Sequence, residues 1–473
     1  MQLIPPRIMQ LQKLRGHTLI MNTFPSNVKQ KLNSIILGMS KNHWLFSENP
    51  GHDFSRQEHG KLSFYDTMRL IIGMGKGSTS DEIMDYFDLN TDIMPSQSAF
   101  AQRRSQISLS AFQFLFSEFS SSFPETTNQF KDHCILAFDG CHVVYATNAE
   151  IIEDYNVPRL VDYKGYNHMH LNGFVDVISK AFIDVMIQPG QHPDERAAMR
   201  SMLEQFNPDT PDRYIITADR GYESYDLIFQ CELKNLGYVF RVKSPSSGKC
   251  ILTSYRDQLP DDQDEFDITI ERFFTDKHSN IMKQQKSVYH YMNPYKTIPH
   301  FQELLNGRHL HFLRFRAVKI KTGENTYEYL ITNLPYSFDI DDIREIYHLR
   351  WGIEVTFRYL KHANGMLHFH CKKPEFLKQE IYASLILYNF GIFIANEAGR
   401  ENKRKKRKDN KYDYGIDIST ALKLARKYFI RRDTGPGIDI IRLMTRYVHA
   451  VKTEFRQFPR HLRGISAIHF HYR

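Results

Sequence analysis

Cysteine is scarce in this chain and badly placed for metal or disulfide chemistry. Cys134, Cys141, Cys231, Cys250 and Cys371 never approach a C-x2-C spacing, which excludes the familiar zinc and redox patterns. No signal peptide opens the sequence, so the expectation is reduced thiols in a cytoplasmic protein. Internal repeats, a glycine-rich phosphate loop and coiled-coil heptads are also missing. Long hydrophobic runs are nearly so. Only Ile381 to Ala395 (IYASLILYNFGIFIA) resembles a membrane segment. It is too short to span hydrocarbon and contains Asn389, so a buried core helix is expected and no membrane partner.

What is present is enough for real cores. The 473 residues, 41% hydrophobic and 13% aromatic, exclude wholesale disorder and give a length prior of roughly two to four domains. The net charge of +8 hides an asymmetry. From Arg400 onward there are 20 Lys/Arg against 7 Asp/Glu, a net of +13, whereas the first 399 residues carry a net of −5. A basic end on a near-neutral body points to a polyanionic partner, most often nucleic acid.

Taken in order, residues 1 to about 120 read as helices. Phe64, Met68, Ile71 and Ile72 keep a helical period, Ser80 is a candidate cap for Asp81 to Phe87, and Ser96 to Ile107 places Arg103 and Arg104 on a basic helix that could meet DNA or solvent. Near residue 134 the pattern changes to β. Cys134 to Val144 is an apolar run interrupted by Asp139 and Gly140, followed by strands at Leu171–Ser179 and Ala181–Gln188. A helix from Asp194 to Phe206, a strand from Tyr214 to Ala218, a helix from Ser224 to Leu236 and a strand from Tyr238 to Val242 follow. Three strands, helix, strand, helix, strand and a later helix match the order of a ribonuclease H-like α/β fold. Between Lys243 and Leu334 the helical pattern lapses into short β segments, which reads as an insertion before the last core helix, or pair of helices, Asp339 to His362.

That last helix carries the densest chemistry. In Tyr347 to Lys361 (YHLRWGIEVTFRYLK), Leu349, Ile353, Phe357 and Leu360 form an apolar face, while Tyr347, Arg350, Glu354 and Lys361 fall at steps of three, four and seven on another stripe. One Arg-x3-Glu pair alone is an ordinary salt-bridged helix face. Two aspartates change the reading. Asp139 sits where an apolar strand meets a glycine, and Asp219 ends another strand, where a carboxylate is costly unless paired or bound to a cation. With Glu354 they make a three-carboxylate set suited to hard divalent ions, Mg²⁺ or Mn²⁺ rather than zinc. Two such ions about 4 Å apart can activate water or a 3′-hydroxyl for phosphodiester transfer.

Asp139-Gly140, Asp219-Arg220-Gly221-Tyr222 and Tyr347-x2-Arg350-x3-Glu354-x6-Lys361, extended by Arg350-Trp351-x-Ile353-Glu354, give the chain its resemblance to a bacterial DDE transposase of the insertion sequence family four. The similarity covers residues 60 to 400. It implies a ribonuclease H-like catalytic core interrupted by a mostly β insertion, and a division into a helical N-terminal DNA-binding region (1–125), the first part of the core (126–242), the insertion (243–335), the last part of the core (336–399) and a basic C-terminal region (400–473). It makes Asp139, Asp219 and Glu354 catalytic metal ligands for Mg²⁺ or Mn²⁺, with two ions expected. Tyr347, Arg350 and Lys361 would hold phosphates near the element's end, and Arg220 would orient the site. Trp351 would either stack a displaced base or pack in the core beside Ile353, and core packing is the expectation. The implied partners are double-stranded DNA, as terminal repeats and target, and further copies of the chain; the implied place is the bacterial cytoplasm, at the nucleoid. The implied reaction is hydrolytic nicking at the element's ends followed by transfer of the 3′-hydroxyls. A catalytically silent DNA-binding derivative and a nuclease of the same fold without strand transfer stand as alternatives. His168-x-His170 and His368-Phe369-His370-Cys371 lack the four spaced ligands of a structural zinc site. Lys403 to Lys408 (KRKKRK) reads as a phosphate-binding or solvated arm.

Overall fold

A computed structural model of the chain describes residues 23–48, 54, 62–123, 129–156, 165–293, 299–404, 412–431 and 437–451. Most of the Lys403 to Lys408 run and the aromatic, basic C-terminal stretch lie outside the described residues.

The alternating and continuous apolar runs in the middle of the chain assemble into one mixed sheet of ten strands. Strand β1 (Cys134–Tyr145) is flanked by β3 (Tyr166–Asp176), antiparallel, and β5 (Tyr214–Ala218), parallel; β4 (Phe182–Pro189) pairs with β3. β2 (Tyr155–Asn156) closes the β3 edge. Beyond β5 comes parallel β6 (Gly237–Val242). The sheet does not stop there: β10 (Thr326–Thr332) pairs antiparallel with β6 and continues through β9 (Leu310–Gly323) and β7 (Phe266–Thr275) to β8 (Tyr289–Tyr291). The strands of the 243–335 segment therefore prolong the same sheet.

The sheet divides two cores by strand parity. On one face, Leu136, Phe138, Ile216 and Ala218 pack with the helices Glu195–Gln205 and Tyr225–Leu233. On the other, Ile135, Ala137 and Ile215 join a larger core with Ile353, Phe357 and the N-terminal helices Phe24–Lys41, Phe64–Gly73 and Leu109–Ser121. Through this second core runs Pro374–Arg404, a 31-residue helix with Ile381 to Ala395 at its centre. It is long and apolar enough to cross a bilayer by length and composition, yet 83% of its most apolar window is buried inside the protein. Asn389 is satisfied there: its amide donates to the Phe182 carbonyl at 2.8 Å, and its oxygen accepts from the Phe182 N–H at 3.0 Å. The polar residue in the apolar run thus ties the helix to β4.

Local signals place most helix starts. Ser63, Ser96, Asp194, Ser224 and Asp339 each accept a backbone N–H as caps. Ser80 does not. Ser78 caps Thr79–Phe87 in a full capping box with Asp81, because the acid at the third helical position answers a serine three residues earlier. β3 begins at Tyr166 rather than near Leu171, drawing His168 and His170 into a buried strand.

The basic helix Gln97–Arg104 also departs from its sequence reading. Arg104 is 4% exposed, ion-paired to Glu380 at 2.6 Å, and donates to the Phe376 carbonyl at 2.6 Å, so it holds the long helix and does not face DNA. Burial opposes the Glu380 charge, but Arg104 and His370 outweigh it and hold the carboxyl down to about 2. Arg104→Ala would strand that charge in the interior. The expected loss is ~3–5 kcal/mol, read as a fall in the denaturant midpoint; an unchanged midpoint would show that the pair does not bear on folding.

Candidate active site

The β1–β5 register brings the two aspartates together. Ala137 lies opposite Thr217 in the parallel ladder, so two residues further along each strand Asp139 and Asp219 stand level. Their parity is that of Ile135, Ala137 and Ile215, so both belong to the face covered by the Ile353 helix. Asp219 ends its strand as the cap of a short 3₁₀ turn, Arg220–Tyr222, and accepts the Gly221 N–H at 2.6 Å. Asp139 accepts the Gly140 N–H at 2.9 Å. Burial pushes the Asp139 carboxyl up to about 6; the Gly140 N–H and Arg350 pull it down, and Asp219 and Glu195 push it further up.

The opposing helix is not one straight rod. Ile340–Leu349 opens on an Asp339 capping box and breaks at Arg350–Trp351. Gly352–Arg358 follows, and then a five-residue π-turn, Tyr359–Ala363. Gly173, directly across from Asp139 in the β1–β3 ladder, lets this helix come close. A Cβ there would meet the Phe357 ring at 2.9 Å. Arg350 is 6% exposed, lies over the Tyr347 ring at 5.5 Å, and reaches Glu354 at 3.5 Å. Burial would lower the Arg350 pKa, but Tyr347, Asp139, Glu354 and Asp219 together raise it. The guanidinium therefore sits within electrostatic reach of all three carboxylates.

The four polar residues of the stripe do not share one exposed face. Tyr347 is 3% exposed, Glu354 has a half-exposed side chain, and Lys361, carried by the π-turn, donates to the His142 carbonyl at 2.7 Å. The kink and the π-turn break the 3.6-residue period on which the stripe was read. Trp351 is not core: it is 53% exposed, with the His348 ring 6.0 Å away. Two residues from Ile353, it falls on the opposite side of the helix. Arg220 is exposed at the end of the Asp219 turn.

Glu195 and His142, which nothing in the sequence singled out, join His168 and His170 behind the aspartates on the opposite face. Glu195, the first residue of its helix, accepts from the Tyr222 hydroxyl at 3.0 Å and lies 3.0 Å from His170 Nε2. The His142 ring is 5.1 Å from His170 and 4.5 Å from His168. Burial, helped by His168, His170 and Lys361, presses the His142 pKa down to about 4. Gly140 makes room for this group: a Cβ would fall 2.2 Å from His170 Nε2 and 2.8 Å from Glu195 Oε1. Only pairing in the folded sheet brings these residues to Asp139; the one legible hint was Asp139-Gly140 itself. Among the described residues, no group of three or more His, Cys, Asp or Glu is already closed around a metal position. Asp139 and Asp219 stand level on neighbouring strands, and Arg350 feels the charge of both and of Glu354.

A family model described as the transposase DDE domain matches residues 131–390. The chain belongs to that family of DNA transposases. Among solved structures, it is similar to piggyBac transposase in a synaptic complex with hairpin DNA, determined by cryo-EM, at 10% identity and a TM-score of 0.42 over 91% of this chain and 86% of that one. No curated protein matches the chain.

The raised Asp139 pKa has a stability consequence. Between the unfolded value of 3.8 and about 6, the folded state binds the extra proton, so the charged carboxylate weakens the metal-free fold as pH rises through that window. Asp139→Asn is expected to raise stability by about 1–3 kcal/mol at pH 8. The gain should vanish below about pH 4. Thermal unfolding in chelator at both pH values tests this; destabilisation at pH 8 would show that the carboxylate is not short of positive charge.

Proposed function

We propose that this chain is a transposase of the insertion sequence family four type, which nicks the ends of its element and joins the freed 3′-hydroxyls to target DNA. The observation that carries the reading is the level placement of Asp139 and Asp219 on adjacent parallel strands, facing the helix of Arg350 and Glu354. Antiparallel β4, β3 and β1 followed by parallel β5 and β6 support a ribonuclease H-like core. On this reading, residues 1–125 and the basic region from 400 add DNA affinity, copies of the chain meet on DNA, and the protein works at the bacterial nucleoid.

The family works with divalent metal ions, and the residues suit one. Asp139 and Asp219 stand level on adjacent strands, and desolvation of the half-buried Asp139 pushes its carboxyl up to about 6. Asp139, Asp219 and Glu354 would hold Mg²⁺ or Mn²⁺, as one or two ions. Such ions polarise the phosphate and activate water or a 3′-hydroxyl. The chain's own residues then bind and orient. Arg350 holds Glu354 at 3.5 Å, and its fork suits a pair of phosphate oxygens. Tyr347 supports the guanidinium from beneath, which gives it a packing role rather than a direct phosphate contact. Lys361 brings a point charge to the edge of β1. Exposed Trp351 and Arg220 stand where a base or the DNA backbone could meet them.

Asp139→Asn, Asp219→Asn and Glu354→Gln should each lose Mg²⁺-dependent cleavage of the element's own ends while still binding them. Robust cleavage by any one of the three would sink the assignment.

Arg350 allows a second test. If it holds phosphate, Arg350→Ala should slow single-turnover cleavage at saturating DNA by at least tenfold, and added Mg²⁺ should not restore the rate. Full rescue by excess Mg²⁺ would mean that Arg350 serves only to set Glu354.

A further inference from the structure

A cleft of about 600 Å³ opens between the end of helix Phe64–Gly73, the π-turn after Glu354 and the C-terminal helix Ile418–Ile430. Lys76, Lys423, Arg426 and Lys427 line it, and among the described residues no Asp or Glu does. Arg426 is already committed. It pairs with Glu82, and its Nε donates to the Gly73 carbonyl at 2.8 Å. The other three cations have no such neutralisation: among the described residues no ion pair involves Lys76, Lys423 or Lys427. Lys76 spends one donor on the His362 carbonyl at 2.8 Å. Lys423 and Lys427 are both exposed, one turn apart on the same helix, a like-charge spacing that costs helix stability unless an anion answers it. Tyr447, 47% exposed, completes the wall.

The position of the cleft matters as much as its charge. Ala363 and Asn364 line it, directly after the π-turn that carries Lys361, so it adjoins the helix facing Asp139 and Asp219. A cavity with three cations outside any ion pair and no lining carboxylate among the described residues fits a polyanion. An open shape with side chains spread along its walls fits a backbone run better than a single small anion.

We propose that this cleft binds the sugar–phosphate backbone of the DNA whose scissile bond is presented to Asp139 and Asp219. The inference rests on the transposase reading and adds where the duplex leaves the site: across the π-turn and along the C-terminal helix. The N-terminal helices and residues 418–430 then form one DNA-binding wall, although they lie at opposite ends of the chain.

The test uses the full chain with duplex DNA carrying the element's end, measuring binding across a salt series together with hydroxyl-radical footprints. Lys423→Glu with Lys427→Glu should weaken binding at least tenfold and lower the slope of log affinity against log salt by about 2, near 1 for each phosphate no longer neutralised. Protection should disappear from one short backbone segment and persist elsewhere. Lys249→Glu with Lys277→Glu, the same charge change at exposed positions in the 243–335 segment, is the control. Lys423→Gln with Lys427→Gln guards against misfolding and should lower the slope in the same direction. Wild-type affinity, slope and footprint in both cleft variants would overturn the proposal, as would equal weakening by the control pair. Failure of the wild-type chain to bind any end DNA would instead reject the transposase reading, and the cleft with it.

Discussion

A carboxylate in the middle of a ten-stranded sheet is tolerated only where something answers its charge, and the architecture around Asp139 follows from that constraint. The strand delivers it beside Asp219, which adds to the problem by raising its pKa further. The structure answers with one N–H from Gly140 and one guanidinium from Arg350. Neither removes the penalty of burial. The site is left electrostatically incomplete in a way that favours a hard cation over a proton near neutral pH, provided water can accompany the ion. Arg350 explains how the chain folds before any ion arrives. It offers one positive charge to Asp139, Asp219 and Glu354 together, too little to balance all three.

The level placement of the aspartates was readable in part. Cys134 to Val144 and Tyr214 to Ala218 are apolar enough to be strands on inspection; Asp139 stands inside the first, and Asp219 ends the second at a glycine-containing turn. That they are neighbours, parallel and in a register with Ala137 opposite Thr217 is a property of pairing, which strand composition does not encode. The same holds for Gly173 and Gly140. Each looks like a dispensable small residue in the sequence. Each proves to be the point where a neighbour must come close: Phe357 on one face, and the His170–Glu195 pair on the other. Helix caps were more legible, because an acceptor and an N–H three residues on form a local interaction. Where two serines competed, at Ser78 and Ser80, the reciprocal Asp81 contact decided.

The errors share a cause. For Arg104 and Trp351, residue type is a poor guide to environment: a distant segment sets the one, and helical phase the other. Arg104 is buried because Glu380 comes to it from 276 residues away. Trp351 is exposed because, two residues from buried Ile353, it falls on the opposite side of the helix. The π-turn at Tyr359–Ala363 widens the helix so that Lys361 reaches the His142 carbonyl. A period of 3.6 extrapolated through two irregularities cannot keep four side chains on one stripe. Irregular helices of this kind concentrate at functional sites, so the place where the periodic reading fails coincides with the candidate site.

The segment between the second aspartate and the glutamate helix has a mechanical role besides any contact with DNA. Its return strand, β10, pairs with β6, and the residues just after it are fastened at several points. Asn333 accepts the Tyr238 N–H at 2.9 Å and donates to the Leu236 carbonyl at 3.0 Å. Arg316 donates to the carbonyls of Leu334 and Pro335 at 3.1 and 2.9 Å. These bonds fix the chain four residues before the Asp339 cap, and so fix where the helix carrying Arg350 and Glu354 begins. Without them the glutamate would hang from a connection of roughly a hundred residues, whose closure entropy changes little with length but whose end-point would be free to wander. The prolonged sheet converts that long connection into a rigid one. Because β6 is also the strand beside β5, whose end bears Asp219, both acidic elements are measured from the same backbone ladder.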